Sequence, residues 1–314
     1  MSTIVFFGSG PFGLPALEAL QRSSHELRCV VTCPAKPQGR SLESKSSLIK
    51  EWAQLHHLPV IETLELRSED IHQKLRRVQA ELFVVIDFGL ILSKEVLEFP
   101  KKMALNVHAS LLPCYRGAAP IHWAILNGEK ETGVSVIEMS ERCDAGDILA
   151  QKSTPISAND DTVSLESRLS EMGVELLLKT LSQIEKGEVR RLPQEETLAS
   201  VARKLKKSDG RLDWKKNSQE ILNHVRAMTG WPGSYSFYHS KRLLVIEVGV
   251  NKSVPDSTQV KGGTILHASS KEGLWIMGGD RPLEIKTLQL AGKKALPARE
   301  FLRGFPMKSG EFLE

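Results

Sequence analysis

Apolar positions in the first 150 residues fall into short dense runs. Between these runs lie stretches in which apolar residues recur every three to four positions. The runs at 3–7, 27–33, 81–87, 103–108 and 133–139 predict strands. The stretches near 14–23, 45–56, 68–79, 93–98 and 118–127 predict helices. Strands alternating with helices imply an open α/β sheet, mostly parallel and covered on both faces, with ligands beyond the carboxyl ends of its strands. Thr162 to Gly187 predicts a long amphipathic helix, with Leu165, Leu169, Met172 and Leu176 at 4-3-4 spacing. Residues 188–211 are polar and basic and lose any period after Leu198, which marks a domain boundary. A short helix follows, opened by Asn217 with Glu220 three residues later. After Trp231-Pro232-Gly233 the pattern turns strand-like, at 234–239, 242–250, 263–268, 274–277 and 283–288. Short strands punctuated by Gly, Asp, Ser and Pro predict a small closed barrel of OB-like kind.

Composition places the chain among ordinary soluble globular proteins, with 41% hydrophobic and 25% charged residues. No apolar run approaches the ~20 residues of a membrane span. The N-terminus lacks the basic patch and apolar stretch of a signal peptide. Cys29, Cys33, Cys114 and Cys143 form no C-x-x-C pair, which suits a reducing, cytoplasmic setting and gives no zinc pattern. Charge is uneven. Residues 206–314 hold 18 Lys and Arg against 11 Asp and Glu, a net of +7, while residues 1–205 carry −3. A basic C-terminal third suggests an anionic macromolecular partner; the plainer alternative is a lysine-solvated surface.

Gly8, Gly10 and Gly13 in "FFGSGPFG" have the G-x-G-x-x-G spacing of a dinucleotide-binding turn. Two further features disagree with that reading. Pro15 sets the helix start near Leu14–Pro15, which leaves the glycines in a loop. The second strand ends in Pro34-Ala35-Lys36, with no carboxylate for a ribose. The stretch therefore reads as a tight strand-to-helix turn, and NAD is not expected.

The richest stretch is "LNVHASLLPCYRGAAPIHWAILNG", residues 105–128. Asn106 and His108 lie two apart at the end of a predicted strand, so their side chains share a face. An amide donates to a developing oxyanion, and an imidazole exchanges protons near neutrality. "CDAGDIL" places Asp144 in a turn after the next strand. Its carboxylate has several readings: orienting His108, raising its basicity, accepting a proton, or simply closing an Asx turn.

Three segments, "NVHASLLPCYRGAAPIHWAILNG", "ETGVSVIEMSERCDAGDIL" and "FGLILSKEVLEFP", resemble the 10-formyltetrahydrofolate-dependent formyltransferases. The resemblance extends over essentially the whole chain, with "LDW", "WPGSY" and "LQLAGKKAL" in the C-terminal third. It implies a Rossmann-like catalytic domain over 1–188, a linker over 189–206 and an OB-like tRNA-binding domain over 207–314. The implied reaction moves a formyl group from 10-formyltetrahydrofolate to the α-amine of methionyl-initiator tRNA, with neither metal nor NAD. Asn106 would hold the oxyanion, His108 would transfer protons, and Asp144 would tune it or act through water. Ser110, Leu111, Leu112 and Pro113, with Phe88 and Gly89, would line the folate site. An insertion, "PAKPQGRSLESKSSLIK", would reach the acceptor end of the tRNA through Lys36 and Arg40. Lys206, Lys207, Lys215 and Lys216 would meet phosphates further along. The implied setting is a cytoplasmic monomer free of membranes, acting in translation initiation.

The chain departs from the family pattern in three places. Asp87-Phe88-Gly89 stands where Ala-Tyr-Gly is usual, Cys114 replaces a common Arg or Lys, and the insertion carries Glu43 and fewer lysines. Rival acceptors are a purine-precursor ribotide, an amino sugar and water. A tRNA-binding protein with a degenerate catalytic domain is the rival of another class.

Overall fold

The computed structural model describes residues 1–34, 36–38, 43–250 and 260–314. They fall into two compact units. One comprises residues 1–120, 131–155 and 166–203; the other comprises 121–130, 156–165 and 204–314.

In the first unit, seven strands among the described residues form one sheet. They are β1 (Thr3–Phe7), β2 (Glu26–Thr32), β5 (Val60–Glu62), β6 (Leu82–Val85), β7 (Met103–His108), β9 (Glu131–Glu138) and β10 (Ile148–Pro155). Their order is β10-β9-β7-β6-β1-β2-β5. The five from β5 to β7 run parallel, and β9 and β10 are antiparallel. The parallel strands are apolar on both faces, as in β1 and β6, because helices cover both sides. Phe7 and Phe83 meet at 4.9 Å inside one such layer. The pattern prediction missed β5 and β10. The first has three residues, and the second is an edge strand whose Gln151-Lys152-Ser153 carries no apolar run. Two short pairs lie outside this sheet. Strands β3 (Lys36–Gln38) and β4 (Glu43–Lys45) pair antiparallel in the insertion, and β8 (Arg116–Gly117) pairs parallel with β11 (Val201–Ala202).

The glycine-rich turn is clamped from two sides. Gly8 N–H donates to the Val31 carbonyl at 3.0 Å, and the Ser9 and Gly10 N–H groups donate to the Asp87 carbonyl. Residues Pro11–Gly13 make one 3₁₀ turn, and α1 (Leu14–Arg22) opens after it, as Pro15 predicts.

The second unit carries an antiparallel half-barrel. Its strands are β12 (Tyr235–Tyr238), β13 (Lys241–Val250), β14 (Ile265–Ser269), β15 (Gly273–Met277), β16 (Pro282–Leu290) and β17 (Leu296–Pro297). The order is β12-β13-β16-β15-β14, with β17 on β16. Leu243, Ile276, Ile285 and Phe301 fill its core beside Trp214 and Ile221. The helix over Ser218–Ala227 starts with a reciprocal cap. Asn217 Oδ1 accepts from Glu220 N–H at 2.9 Å, and Glu220 Oε2 accepts from Asn217 N–H at 3.1 Å.

Candidate active site

The carboxyl end of β7 delivers Asn106 and His108 to one face, and the turn after β9 brings Asp144 against both. Asn106 Nδ2 donates to Asp144 Oδ1 at 3.1 Å. His108 Nδ1 lies 3.7 Å from Asp144 Oδ2, too far for a hydrogen bond. His108 Nε2 sits 2.9 Å from the Tyr115 carbonyl oxygen. A carbonyl only accepts, so Nε2 carries the hydrogen. Nδ1 is then the ring nitrogen on the Asp144 side, left for proton exchange. His108 is 6% exposed, so its ring orientation is held by packing as well as by that bond.

Asp144 is held in turn. Gly117 N–H donates to Oδ2 at 2.8 Å, and Cys143 Sγ lies 3.3 Å from the same oxygen. Burial and the Asp144 charge push the Cys143 thiol up to about 11, so it stays protonated and donates. Asp144 has φ 51°, a left-handed conformation that Asp tolerates better than most residues. Gly146 must be glycine there, since an added Cβ would overlap the Glu138 carbonyl.

The Ser-Leu-Leu-Pro loop is braced from within. Ser110 Oγ is fully buried and donates to the Cys114 carbonyl at 2.6 Å. Ser135 Oγ donates to the Ser110 carbonyl at 2.7 Å and accepts from Leu112 N–H at 3.1 Å. Leu112 packs on Ile137 and Ile148. Ser110 and Leu112 thus face the protein interior, while Leu111 and Pro113 are half-buried. On the neighbouring loop after β6, Phe88 is half-buried, edge-on to Phe7 at 5.5 Å, and Gly89 is exposed.

Asp87 occupies the space that Gly10 leaves open. A Cβ on Gly10 would overlap the Asp87 carboxylate. Burial raises the pKa of this carboxyl although part of it stays accessible, and Phe12 N–H, donating to it, opposes that shift. Burial, and then the Asp87 charge, also raise Glu166.

The other positions expected to bind are dispersed. Lys206, Lys207, Lys215 and Lys216 are exposed on the second unit, and Lys216 pairs with Glu220 at 3.6 Å. Lys215 lines a cleft of about 510 Å³ together with Arg211, Lys261 and Phe312. Lys36 belongs to the backbone of β3, and Arg40 lies outside the described residues. Sequence reasoning missed Gln194, Arg116 and Glu196. Gln194 Nε2 donates to the carbonyls of Asp144 and Gly146. Glu196 bridges Arg116 and Arg142, and its hydrogen bonds from these two arginines lower it to about 2. Arg116 stood in the informative stretch, but Gln194 and Glu196 lie in an aperiodic polar segment that offered no signal. Among the described residues no group of three or more His, Cys, Asp or Glu could hold a metal ion, and no helix is long and apolar enough to cross a membrane.

Residues 1–181 match the formyl transferase family, and residues 204–306 match the formyl transferase C-terminal domain. The chain is 42% identical to a methionyl-tRNA formyltransferase of Citrifermentans bemidjiense, over 99% of this chain and 96% of that one. It is 39% identical to the methionyl-tRNA formyltransferase of Geotalea uraniireducens, over 99% and 97%. Its fold resembles that of an N-formyltransferase from Helicobacter canadensis solved with folinic acid and dTDP-3-aminofucose, with TM-score 0.65, 21% identity, and coverage of 91% and 99%. HypX from Aquifex aeolicus, solved with tetrahydrofolic acid, gives TM-score 0.66 at 20% identity, over 99% of this chain and 50% of that one.

Proposed function

The chain belongs to the formyl transferase family, and from that premise we propose that it moves the formyl group of 10-formyltetrahydrofolate to the α-amine of methionyl-initiator tRNA. The observation that carries the reading is full-length similarity to methionyl-tRNA formyltransferases, joined to the convergence of Asn106, His108 and Asp144 on one strand end.

The chemistry is acyl transfer. The amine nitrogen attacks the formyl carbon, a tetrahedral intermediate forms, and the bond from that carbon to folate nitrogen breaks. One N–H of Asn106 is held by Asp144, which aims the other at the oxyanion. Such a donor contributes roughly 3–4 kcal/mol. His108 Nδ1 takes the proton from the attacking amine, and Asp144 stabilises the imidazolium that results. The His108 imidazolium then gives that proton to the departing folate nitrogen, so the site ends in its starting state. Phe88 and Gly89 form one wall of the folate site in this reading, and Leu111 and Pro113 the other. Ser110 and Leu112 hold that second wall from inside.

Residues 1–188 then act as the catalytic domain, 189–206 join it to the rest, and 207–314 bind tRNA through Lys207, Lys215 and Lys216, with Lys206 at the end of the linker beside them. Lys36 and Arg40 of the insertion meet the acceptor end. The protein works as a cytoplasmic monomer. Incubation with 10-formyltetrahydrofolate and methionyl-initiator tRNA yields formyl-methionyl ester on this reading. A protein that consumes the folate but leaves the aminoacyl ester unformylated refutes it.

A further inference from the structure

We infer that Gln194 is a positioning residue for the Asp144 carboxylate, and that the segment carrying it, residues 192–202, is a strap that assembles the site. The inference rests on the role given to Asp144 above.

The Gln194 amide uses all its hydrogen-bonding capacity at this place. Its Nε2 donates to the Asp144 carbonyl at 2.8 Å and to the Gly146 carbonyl at 2.7 Å. Its Oε1 accepts from Arg116 Nε at 3.0 Å and Arg116 Nη2 at 2.8 Å. Two donors and two lone pairs are all that a primary amide has. One end therefore pins the turn that holds Asp144 in its left-handed conformation. The other end fixes Arg116, which immediately precedes the Gly117 N–H that binds Asp144 Oδ2. The carboxylate and one of its donors are located by a single side chain.

The rest of the strap points the same way. Arg116 N–H donates to the Ser200 carbonyl at 2.8 Å, and Ala118 N–H to the Ala202 carbonyl at 2.9 Å. Tyr115 N–H donates to Ser200 Oγ at 2.8 Å, next to the Tyr115 carbonyl that sets the His108 ring. Gly117 lies so close beneath the strap that an added Cβ would stand 2.7 Å from the Ala202 carbonyl. Glu196 ties Arg116 to Arg142, two residues before Asp144. Partners of both His108 and Asp144 are thus braced by residues far along the chain.

Gln194 spends its polar atoms inside the protein, so its loss should lower kcat and leave KM for folate and for tRNA in place. Gln194→Glu is the decisive variant. It keeps the shape and the acceptor toward Arg116 but removes both donors to the Asp144 turn. Displacing a reacting group by about an ångström costs on the order of a hundredfold. We expect kcat to fall between roughly tenfold and a hundredfold on that scale, with backbone deuterium uptake rising at residues 143–146 and 116–118. Gln194→Ala should give the same pattern. An unchanged kcat overturns the inference, whatever the exchange shows. So does a lower kcat with unchanged exchange at the turn, because the effect then bypasses Asp144. A parent protein that never formylates methionyl-tRNA overturns the proposed function instead; the exchange measurement then decides alone whether Gln194 holds the turn.

Discussion

Removing the Asn106 amide separates oxyanion stabilisation from every other part of the mechanism. In Asn106→Ala, Asp144 loses one hydrogen bond, from Nδ2 to Oδ1 at 3.1 Å, but keeps Gly117 N–H on Oδ2 and its place beside His108. The proton-transfer pair survives, and the half-buried strand end leaves little cavity. What disappears is the second N–H, the one free to meet the oxyanion. A single preorganised donor of that kind contributes roughly 3–4 kcal/mol, or about 10²–10³ in kcat. The ground-state formyl oxygen gains much less from it, so KM should change little. Folding loses one amide-to-carboxylate bond, about 1.5 kcal/mol at the lower end for a charged partner. Melting curves should therefore show a modest drop with the cooperative transition intact. Steady-state formylation of methionyl-initiator tRNA, with folate and tRNA varied separately, measures both constants. A kcat within about threefold of the parent, less than 1 kcal/mol, refutes the oxyanion role. A loss confined to KM for folate would assign Asn106 to binding instead.

Other expectations are as specific. His108→Ala should lower turnover by about 10²–10⁴ while folate still binds, and near-parental turnover refutes its proton-transfer role. Gly10→Ala should destabilise by about 1 kcal/mol or more, because Asp87 must give up the Phe12 N–H to make room. In an Asp87→Ala background, which already lacks that bond, Gly10→Ala should add little further loss, and a double-mutant cycle without coupling refutes the contact between position 10 and the Asp87 carboxylate. Replacing Lys206, Lys207, Lys215 and Lys216 with Gln should weaken tRNA binding and flatten its salt dependence by about 0.7–0.9 for each phosphate no longer neutralised, whereas an unchanged slope makes them solvation only. His224 is lowered by burial, with Nε2 bound to the Asp209 carbonyl at 2.8 Å. The unfolded chain therefore takes up the proton first, and stability should fall as pH drops below about 6.5. The melting temperature of His224→Gln should depend less on pH over that range than the parent's; equal slopes contradict this.

The architecture was legible where local and tertiary preferences agree. The inner parallel strands β1 and β6 bury both faces, so their apolar runs stood out, whereas the three-residue edge strand β5 did not. The Pro15 helix start and the Asn217–Glu220 cap obey backbone rules that need no tertiary context. Edge strand β10 stayed hidden because its consecutive exposed residues Gln151, Lys152 and Ser153 leave neither a dense apolar run nor an alternation. Within the site, Asn106 and His108 were readable from the two-residue strand period. Asp144 was nameable as a nearby carboxylate, but only the family resemblance chose among its readings, because an Asp in Asp-Ala-Gly-Asp reads equally as a turn. Gln194 was not readable at all. Its role depends on carbonyls 48 and 50 residues earlier, and hydrogen bonds from a side chain to distant backbone leave no periodicity. Ser110 shows the converse. Its motif was plain, but whether its hydroxyl faces ligand or interior depends on the Cys114 carbonyl beneath it.

The central claim is tested most directly by following a labelled formyl group from 10-formyltetrahydrofolate with three acceptors present together: methionyl-initiator tRNA, a nucleotide-linked amino sugar and water. The account predicts label on the methionyl ester, and its loss when His108 is replaced by Ala. Label appearing as formate or on the sugar, with the ester unlabelled, would contradict it.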